Sequence, residues 1–227
     1  MDCDIIIQDC KKRFSLGELN SNQNHASIPI CILDAVFSIG VTYTSTINTV
    51  RRYCNYFHLP LTRGPELPAL AEQHTVSELL DNINNVGIEF FTESILRNRQ
   101  RTSSRNGILK SQAVYEWAKV LKSHGIEVLQ DIPSLGLDTI VEDKLLCIPG
   151  QRSGISLKYF YMLCGIEDLC KPDRHLLKYL SERLCRDIGM EEAQKIMAET
   201  VMEINKSFPN VTIRLLDYTI WGYMSAR

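Results

Sequence analysis

Residues 144–178 read Lys-Leu-Leu-Cys-Ile-Pro-Gly-Gln-Arg-Ser-Gly-Ile-Ser-Leu-Lys-Tyr-Phe-Tyr-Met-Leu-Cys-Gly-Ile-Glu-Asp-Leu-Cys-Lys-Pro-Asp-Arg-His-Leu-Leu-Lys. The stretch predicts a helix ending at Ile148. Pro149-Gly150 then opens a tight turn, and Gly154 permits a second special backbone angle. A new helix follows at once, with Ile155, Leu157, Phe160 and Leu163 as its apolar residues. Two helices joined by a short glycine-containing turn form a helical hairpin. The start of the second helix offers unpaired N–H groups and the positive end of the helix dipole, which together suit a phosphate. Lys144, Arg152 and Lys158 surround it, and no acid occurs between 144 and 166. Lys171-Pro172-Asp173 opens the next helix. Asp173 stands where an N-cap belongs, and capping alone is worth about 1 kcal/mol.

Helical periodicity extends outward from this stretch. Leu33, Val36, Phe37, Ile47, Val50, Cys54 and Phe57 suit a helix pair broken near Gly40. Ala113, Val114, Trp117, Ala118 and Leu121 form another stripe. So do Leu176, Leu177, Leu180 and Leu184, and again Ala193, Ile196, Met197, Val201 and Ile204. Such stripes must bury against one another. Pro60, Gly125 and Gly189 read as helix stops. Positions 59–68, with three prolines and a glycine, read as a connecting loop, and so does the Asn-rich segment 18–28. The last fifteen residues mix alternation (Val211, Ile213, Leu215) with helical spacing (Leu216, Ile220, Trp221). No strand has an evident partner, so a helix is expected there. The predicted class is all-α.

Composition is that of a globular protein, with 44% apolar and 23% charged residues among 227. Bulk disorder, a coiled coil, a collagen-like chain and a small disulfide-stapled domain are excluded. No apolar run is long enough to span a membrane. The Met1-Asp2-Cys3-Asp4 start lacks the basic residues of a secretory signal, so a cytoplasmic protein is expected, nucleoid-associated if bacterial. The eight cysteines, at 3, 10, 31, 54, 147, 164, 170 and 185, contain no C-x-x-C pair, and the five histidines are scattered. No metal site is indicated, and buried reduced thiols are expected.

The net charge of −2 at first argues against a nucleic-acid partner. Its distribution changes that. A second acid-free window, 94–115, carries Arg97, Arg99, Arg101, Arg105 and Lys110, interleaved with Thr102, Ser103, Ser104 and Asn106. The window reads either as a solvated loop or as a phosphate-contacting one. The two windows hold eight basic residues, so the rest of the chain is acidic. This excludes indiscriminate coating of nucleic acid and allows one face that touches a few phosphates.

Ile148-Pro149-Gly150-x-x-x-Gly154, followed about twenty residues later by Pro172-Asp173-Arg174-His175-Leu176, resembles the helix-hairpin-helix DNA glycosylase superfamily. That family carries an L-P-G-x-G hairpin and then a V-D-T-H-V segment with a catalytic aspartate. Ile32 to Thr42 is similar to the family's early helix, and Gly107 to Ala113 resembles its helix entry before the hairpin. The order matches over roughly residues 30–190. The resemblance implies a two-lobed helical fold over residues 29–227, one lobe of 29–57 plus 175–227 and the other of 70–174, after an N-terminal segment 1–28. It implies a base-excision-repair-type protein that binds double-stranded, lesion-containing DNA, with the hairpin residues Gly150, Gln151, Arg152, Ser153, Gly154 and Lys158 on a phosphate. Arg97, Arg99, Arg101, Arg105 and Lys110 would lie near the same DNA face.

Asp173 would stabilise the oxocarbenium-like sugar left by a departing flipped base and orient a water. Thr42, Tyr43 and His175 are pocket candidates. Tyr43 either stacks on a base or joins the core, and His175 either makes a structural hydrogen bond or contacts phosphate or sugar. The sequence departs from the family pattern at several points. Arg152 stands at the second hairpin glycine. Gly154, Ile155 and Ser156 stand where bifunctional members carry a Schiff-base lysine, and Lys158 comes about one turn too late. The intercalating glutamine is replaced around Ile39 to Thr42. No C-terminal cysteine quartet follows Cys185, so no iron–sulfur cluster is expected. The resemblance therefore implies a monofunctional glycosylase without cofactor, and it allows a monovalent cation at the hairpin. The alternatives are a non-catalytic helix-hairpin-helix DNA-binding protein and an all-α interaction protein.

Overall fold

The computed structural model describes residues 2–19, 24–133 and 136–227. The fold is all-α, with eleven α-helices among the described residues and one two-stranded ribbon. The helices are α1 (Asp2–Arg13), α2 (Ile28–Phe37), α3 (Tyr43–Tyr56), α4 (Val76–Val86), the single turn α5 (Ile88–Phe90), α6 (Lys110–Ser123), α7 (Thr139–Leu146), α8 (Ile155–Cys164), α9 (Arg174–Leu184), α10 (Met190–Ile204) and α11 (Ile213–Ser225). The C-terminal segment is helical, as its later spacing predicts.

The chain forms two compact units, Gln23–Gly165 and Met1–Asn22 with Ile166–Arg227. The expected lobes divided the chain differently. Helices α2 and α3 share a unit with α4 to α8, because α2 packs on α3, α6 and α8. The first 28 residues are not one separate segment either. Helix α1 packs on α9 and α10, while Ser27 is already the N-cap residue of α2. Part of the Asn-rich segment, positions 20–23, lies outside the described residues.

The larger unit is built round α2. Every residue of Ile-Pro-Ile-Cys-Ile-Leu-Asp-Ala-Val-Phe is buried, as a helix apolar on all sides requires. Gly40, at φ +71°, turns the chain between α2 and α3. The Trp117 ring meets Phe160 edge-on at 5.3 Å, joining α6 to α8. The expected loop at 59–68 contains strand β2 (Thr62–Arg63), which pairs antiparallel with β1 (Asn24–His25). Pairs this short carry no hydrophobic alternation, so no strand signal is readable at these positions. The smaller unit packs Ile6 and Cys10 of α1 with Leu176, Tyr179 and Leu180 of α9, Met197 of α10, and Leu216 and Ile220 of α11.

Two readings of detail are corrected. Gly189 does not end a helix: it precedes α10 with φ −82°, and α9 stops at Cys185, which adopts φ +52°. Nor are all cysteines buried, since Cys147 and Cys185 are exposed.

The acid inside α2 has a partner. Asp34 Oδ2 lies 2.7 Å from His25 Nε2, with side chains 2% and 1% exposed. Burial by itself would lower the His25 pKa. The hydrogen bond and charge of Asp34 outweigh it, and the net shift is upward. A raised folded-state value contributes stability that is fully present below the unfolded value of about 6.5 and is lost as pH rises through the folded value. We therefore expect the unfolding free energy to decline in urea titrations as pH rises above about 6.5. Asp34→Asn should weaken the fold by about 3–5 kcal/mol, since it leaves a buried group unpaired. It should also remove the part of the slope due to His25. An unchanged slope in the variant would refute the pairing.

Candidate functional site

Helix α7 ends in a sequence of tight backbone bonds. Ile148 N–H donates to Leu145 O at 3.2 Å, Gln151 N–H to Ile148 O at 2.9 Å and Gly154 N–H to Gln151 O at 3.0 Å. Gly150 takes φ +85° and Gly154 φ +72°, while Arg152 is not among the residues with positive φ. Gly154 thus supplies the second left-handed position, and Arg152 occupies its site without that strain. Helix α8 starts directly after Gly154, which has no side chain to cap it. Ile155 N–H reaches Ser153 Oγ at 3.5 Å, and the other first-turn N–H groups and the positive dipole end suit water or an anion. Arg152 and Ser153 are exposed on the turn, and Lys158 is half-buried on the first turn of α8.

The second basic window is an ordered loop. Arg101 bridges Leu109 in antiparallel fashion, Thr102 N–H donates to Ile108 O at 2.9 Å and Lys110 N–H to Gln100 O at 2.8 Å. Arg101 Nη1 donates to Gly107 O at 2.7 Å, and Ser103 Oγ donates to Arg105 O at 2.6 Å. Arg105 is exposed near the tip. The loop sits on the hairpin. A Cβ at Gly150 would lie 2.5 Å from both Thr102 Cβ and Thr102 Oγ1. Only glycine lets the two basic segments meet this closely.

The predicted phosphate ligands divide accordingly. Gly150, Arg152, Ser153 and Gly154 share one turn, with Arg101 and Arg105 on the loop packed against it. Arg97 and Arg99 are exposed, but Arg99 is ion-paired with Glu93, just outside the acid-free window. Gln151 is 3% exposed and Lys110 1% exposed, so neither is a surface ligand. Lys110 Nζ instead donates to Phe37 O at 2.9 Å and Ile39 O at 2.7 Å, beyond the C-terminal end of α2. Its sequence context hid this role, because nothing local to Lys110 announces two carbonyls some seventy residues away. Lys144 turns to His124, with Nζ 3.1 Å from Nε2. The contact of Thr102 with Gly150 left no mark in the sequence.

Asp173 belongs to the smaller unit. It is the N-cap residue of α9, half-buried, and its Oδ1 accepts from His175 N–H at 2.8 Å and Leu176 N–H at 3.3 Å. Oδ2 accepts no hydrogen bond among the described residues. The His175 ring accepts at Nε2 from Arg174 Nε at 3.3 Å. Close by in the chain of bonds is Asp217, whose Oδ2 accepts the Lys171 N–H at 3.3 Å. Asp217 escaped notice, yet it falls on the apolar stripe of Ile213, Leu216 and Ile220, where a lone acid is a signal. Thr42 is exposed at the N-cap of α3, and Tyr43 follows it at 36% exposure. Both are in the larger unit.

Among the described residues no group of three or more His, Cys, Asp or Glu could hold a metal ion. Nor is any helix among the described residues long and apolar enough to cross a membrane. The fold is all-α, with a glycine-containing turn between α7 and α8 and an arginine-rich loop packed against that turn. The chain belongs to the family described as domain of unknown function DUF8548, whose model matches residues 4–225. No curated protein and no solved structure matches it.

Proposed function

We propose that the protein binds the sugar–phosphate backbone of double-stranded DNA through the α7–α8 turn and the loop that carries Arg101 and Arg105. The packing of Thr102 on Gly150 supports this reading, because the loop that carries Arg101 and Arg105 meets the turn from which α8 starts. Contacts of this kind position a duplex without reading its sequence. An acidic body with one basic strip suits a local grip.

The reading has a direct test. Duplex affinity should fall steeply with salt, since each neutralised phosphate contributes a slope of about −0.9 in log K against log salt. Substituting Arg101, Arg105 or Arg152 singly by Ala should weaken binding to all sequences alike and reduce that slope by about 1 each. Binding that is indifferent to salt would reject DNA in favour of a protein partner.

A second reading adds chemistry, and Asp173 Oδ2 favours it. One carboxylate oxygen is held by the cap while the other accepts no hydrogen bond from the described residues and is open to solvent, which suits a group facing a developing positive charge. In this reading the protein is a monofunctional DNA glycosylase. The N-glycosidic bond to C1′ breaks, the base leaves with the bonding pair, and water adds to C1′. Asp173 stabilises the cationic sugar and takes the proton of the water. Duplexes with alkylated, deaminated or oxidised bases should then yield abasic sites. Asp173→Asn should abolish the yield while costing no more than about 1 kcal/mol of stability, because the amide oxygen still caps α9. Undiminished base release by that variant would reject the assignment.

A further inference from the structure

Two hydroxyls in the chain follow arginines at both the fifth and the third position before them: Thr102, after Arg97 and Arg99, and Ser104, after Arg99 and Arg101. The structure separates the two. Thr102 is 9% exposed and packs on Gly150. Ser103, between them, is half-buried, and its Oγ donates to Arg105 O at 2.6 Å. Ser104 is exposed in the turn 104–106, with Arg105 and Asn106 exposed beside it. Its hydroxyl has no hydrogen-bond partner among the described residues.

The charges along this loop are of one sign. Arg101 and Arg105 are exposed, and no acid lies between 94 and 115. Glu93, just before the loop, is ion-paired with Arg99. A serine displayed on a loop tip behind spaced arginines is a charge pattern that protein kinases use to choose substrates. Extending the tip into a kinase cleft gives up the Arg99–Glu93 pair, the Ser103 Oγ bond to Arg105 O and the Arg101 Nη1 bond to Gly107 O. The backbone bonds from Thr102 to Ile108 and from Lys110 to Gln100 lie below the tip and hold the base of the loop. The strongest rival is Ser15, exposed after Lys11-Lys12-Arg13-Phe14. There the arginine is already engaged, with Arg13 Nε 2.8 Å from both carboxylate oxygens of Asp9.

We propose that Ser104 is a phosphorylation site for an arginine-directed protein serine kinase. Its Oγ attacks the γ-phosphorus of a nucleoside triphosphate. The new O–P bond forms as the bond to the β-phosphate oxygen breaks, and the nucleoside diphosphate leaves with that electron pair. The hydroxyl proton passes to a carboxylate of the kinase. The phosphoserine carries a charge of about −1.5 to −2 at pH 7, which offsets Arg101 and Arg105 together. Its consequence for a nucleic acid rests on the DNA-binding reading. In that reading the added anion repels duplex phosphates from the loop and releases the grip.

The test incubates the folded full chain with ATP and a purified serine kinase that requires arginine at these two positions, and maps the product by mass spectrometry. A single phosphate on Ser104 is expected. Arg99→Ala and Arg101→Ala should each slow its addition about tenfold, and Ser104→Ala should lose it. A phosphate on Thr102, Ser103 or Ser15 instead, no phosphate at all, or a rate indifferent to both arginines would overturn the proposal. Duplex titrations of the same samples separate the site from its effect. The phosphorylated chain should bind about tenfold more weakly, with the salt slope reduced by about 2. Kinase-treated Ser104→Ala should bind as its own untreated sample does. Unchanged duplex affinity after modification of Ser104 rejects the switch. An unmodified chain that ignores the duplex rejects the DNA reading and leaves the phosphorylation site standing.

Discussion

Replacing Lys110 by Met is expected to lower the unfolding free energy by about 2–4 kcal/mol while leaving the salt slope of duplex binding unchanged. Methionine preserves much of the stem volume, so a cavity is not the cause. What disappears is the ammonium that donates to Phe37 O and Ile39 O at 2.9 and 2.7 Å. Carbonyls at a helix C-terminus lack intrahelical partners and carry the negative end of the dipole. Left buried and unpaired, each costs about 1–3 kcal/mol. Thr46 Oγ1 still donates to Phe37 O at 3.3 Å and moderates the loss. Urea unfolding measures the first effect, and titration of the folded variant with duplex at several salt concentrations measures the second. A surface phosphate ligand would behave in the opposite way, with little change in stability and a slope reduced by about 1.

Gly150→Ala should be the most damaging single methyl in the hairpin. The position has φ +85°, which costs an L-residue about 1 kcal/mol. The added Cβ would also stand 2.5 Å from Thr102 Cβ and 3.0 Å from the Thr102 backbone carbon. Backbone cannot yield as a side-chain tip can, so the arginine loop must move. Overpacking of this kind costs about 1–3 kcal/mol more. Gly154→Ala is the control. It shares the positive φ, but its Cβ would meet nothing nearer than Leu146 Cδ2 at 3.8 Å, so only the roughly 1 kcal/mol of strain is expected. Differential scanning calorimetry of the two variants should show the gap. If the proposed DNA grip is right, Gly150→Ala also weakens duplex affinity about tenfold, or 1.4 kcal/mol, because Arg101 and Arg105 move with Thr102. Adding Thr102→Gly should restore part of both losses, as coupled neighbours do. Equal effects at the two glycines would refute the role given to the Thr102 contact.

Local signals in the sequence proved informative where a residue's conformation depends on its near neighbours. The apolar stripes of α6, α9 and α10 were legible because a helix repeats its core-facing side every three to four residues. The break at Gly40 and the turn at Gly150 and Gly154 were legible because positive φ selects glycine. The N-cap at Asp173 was legible because a carboxylate after proline and before an apolar stripe meets free N–H groups. Arg152 at the second hairpin glycine left open whether the turn differs or Gly154 takes over, and the structure has the second positive φ at Gly154.

The site divides along the same line. Arg101, Arg105, Arg152 and Ser153 stand exposed where an acid-free pattern suggested, since burying an unpaired cation is costly and surface is the default for arginine. The same default misplaced Lys110 and Gln151. A lysine buried against carbonyls has the same letter as a solvated one, and only the approach of α2 to the start of α6 distinguishes them. The strand pair Asn24–His25 and Thr62–Arg63 was beyond reading for a similar reason. Its bonds are made by backbone, which every residue possesses.

By itself, then, the sequence determined an all-α chain, its main helices, a glycine turn at Gly150 and Gly154 and a capped aspartate. These follow from periodicity, left-handed backbone positions and capping chemistry, all of which act within a few residues. The tertiary structure alone decided that Thr102 rests on Gly150, that Lys110 holds the end of α2, that His25 and Asp34 pair in the core, and that Asp217 accepts the Lys171 N–H. Each of these joins residues far apart in the chain through burial or charge, and such energies depend on which surfaces meet, not on which residues are adjacent.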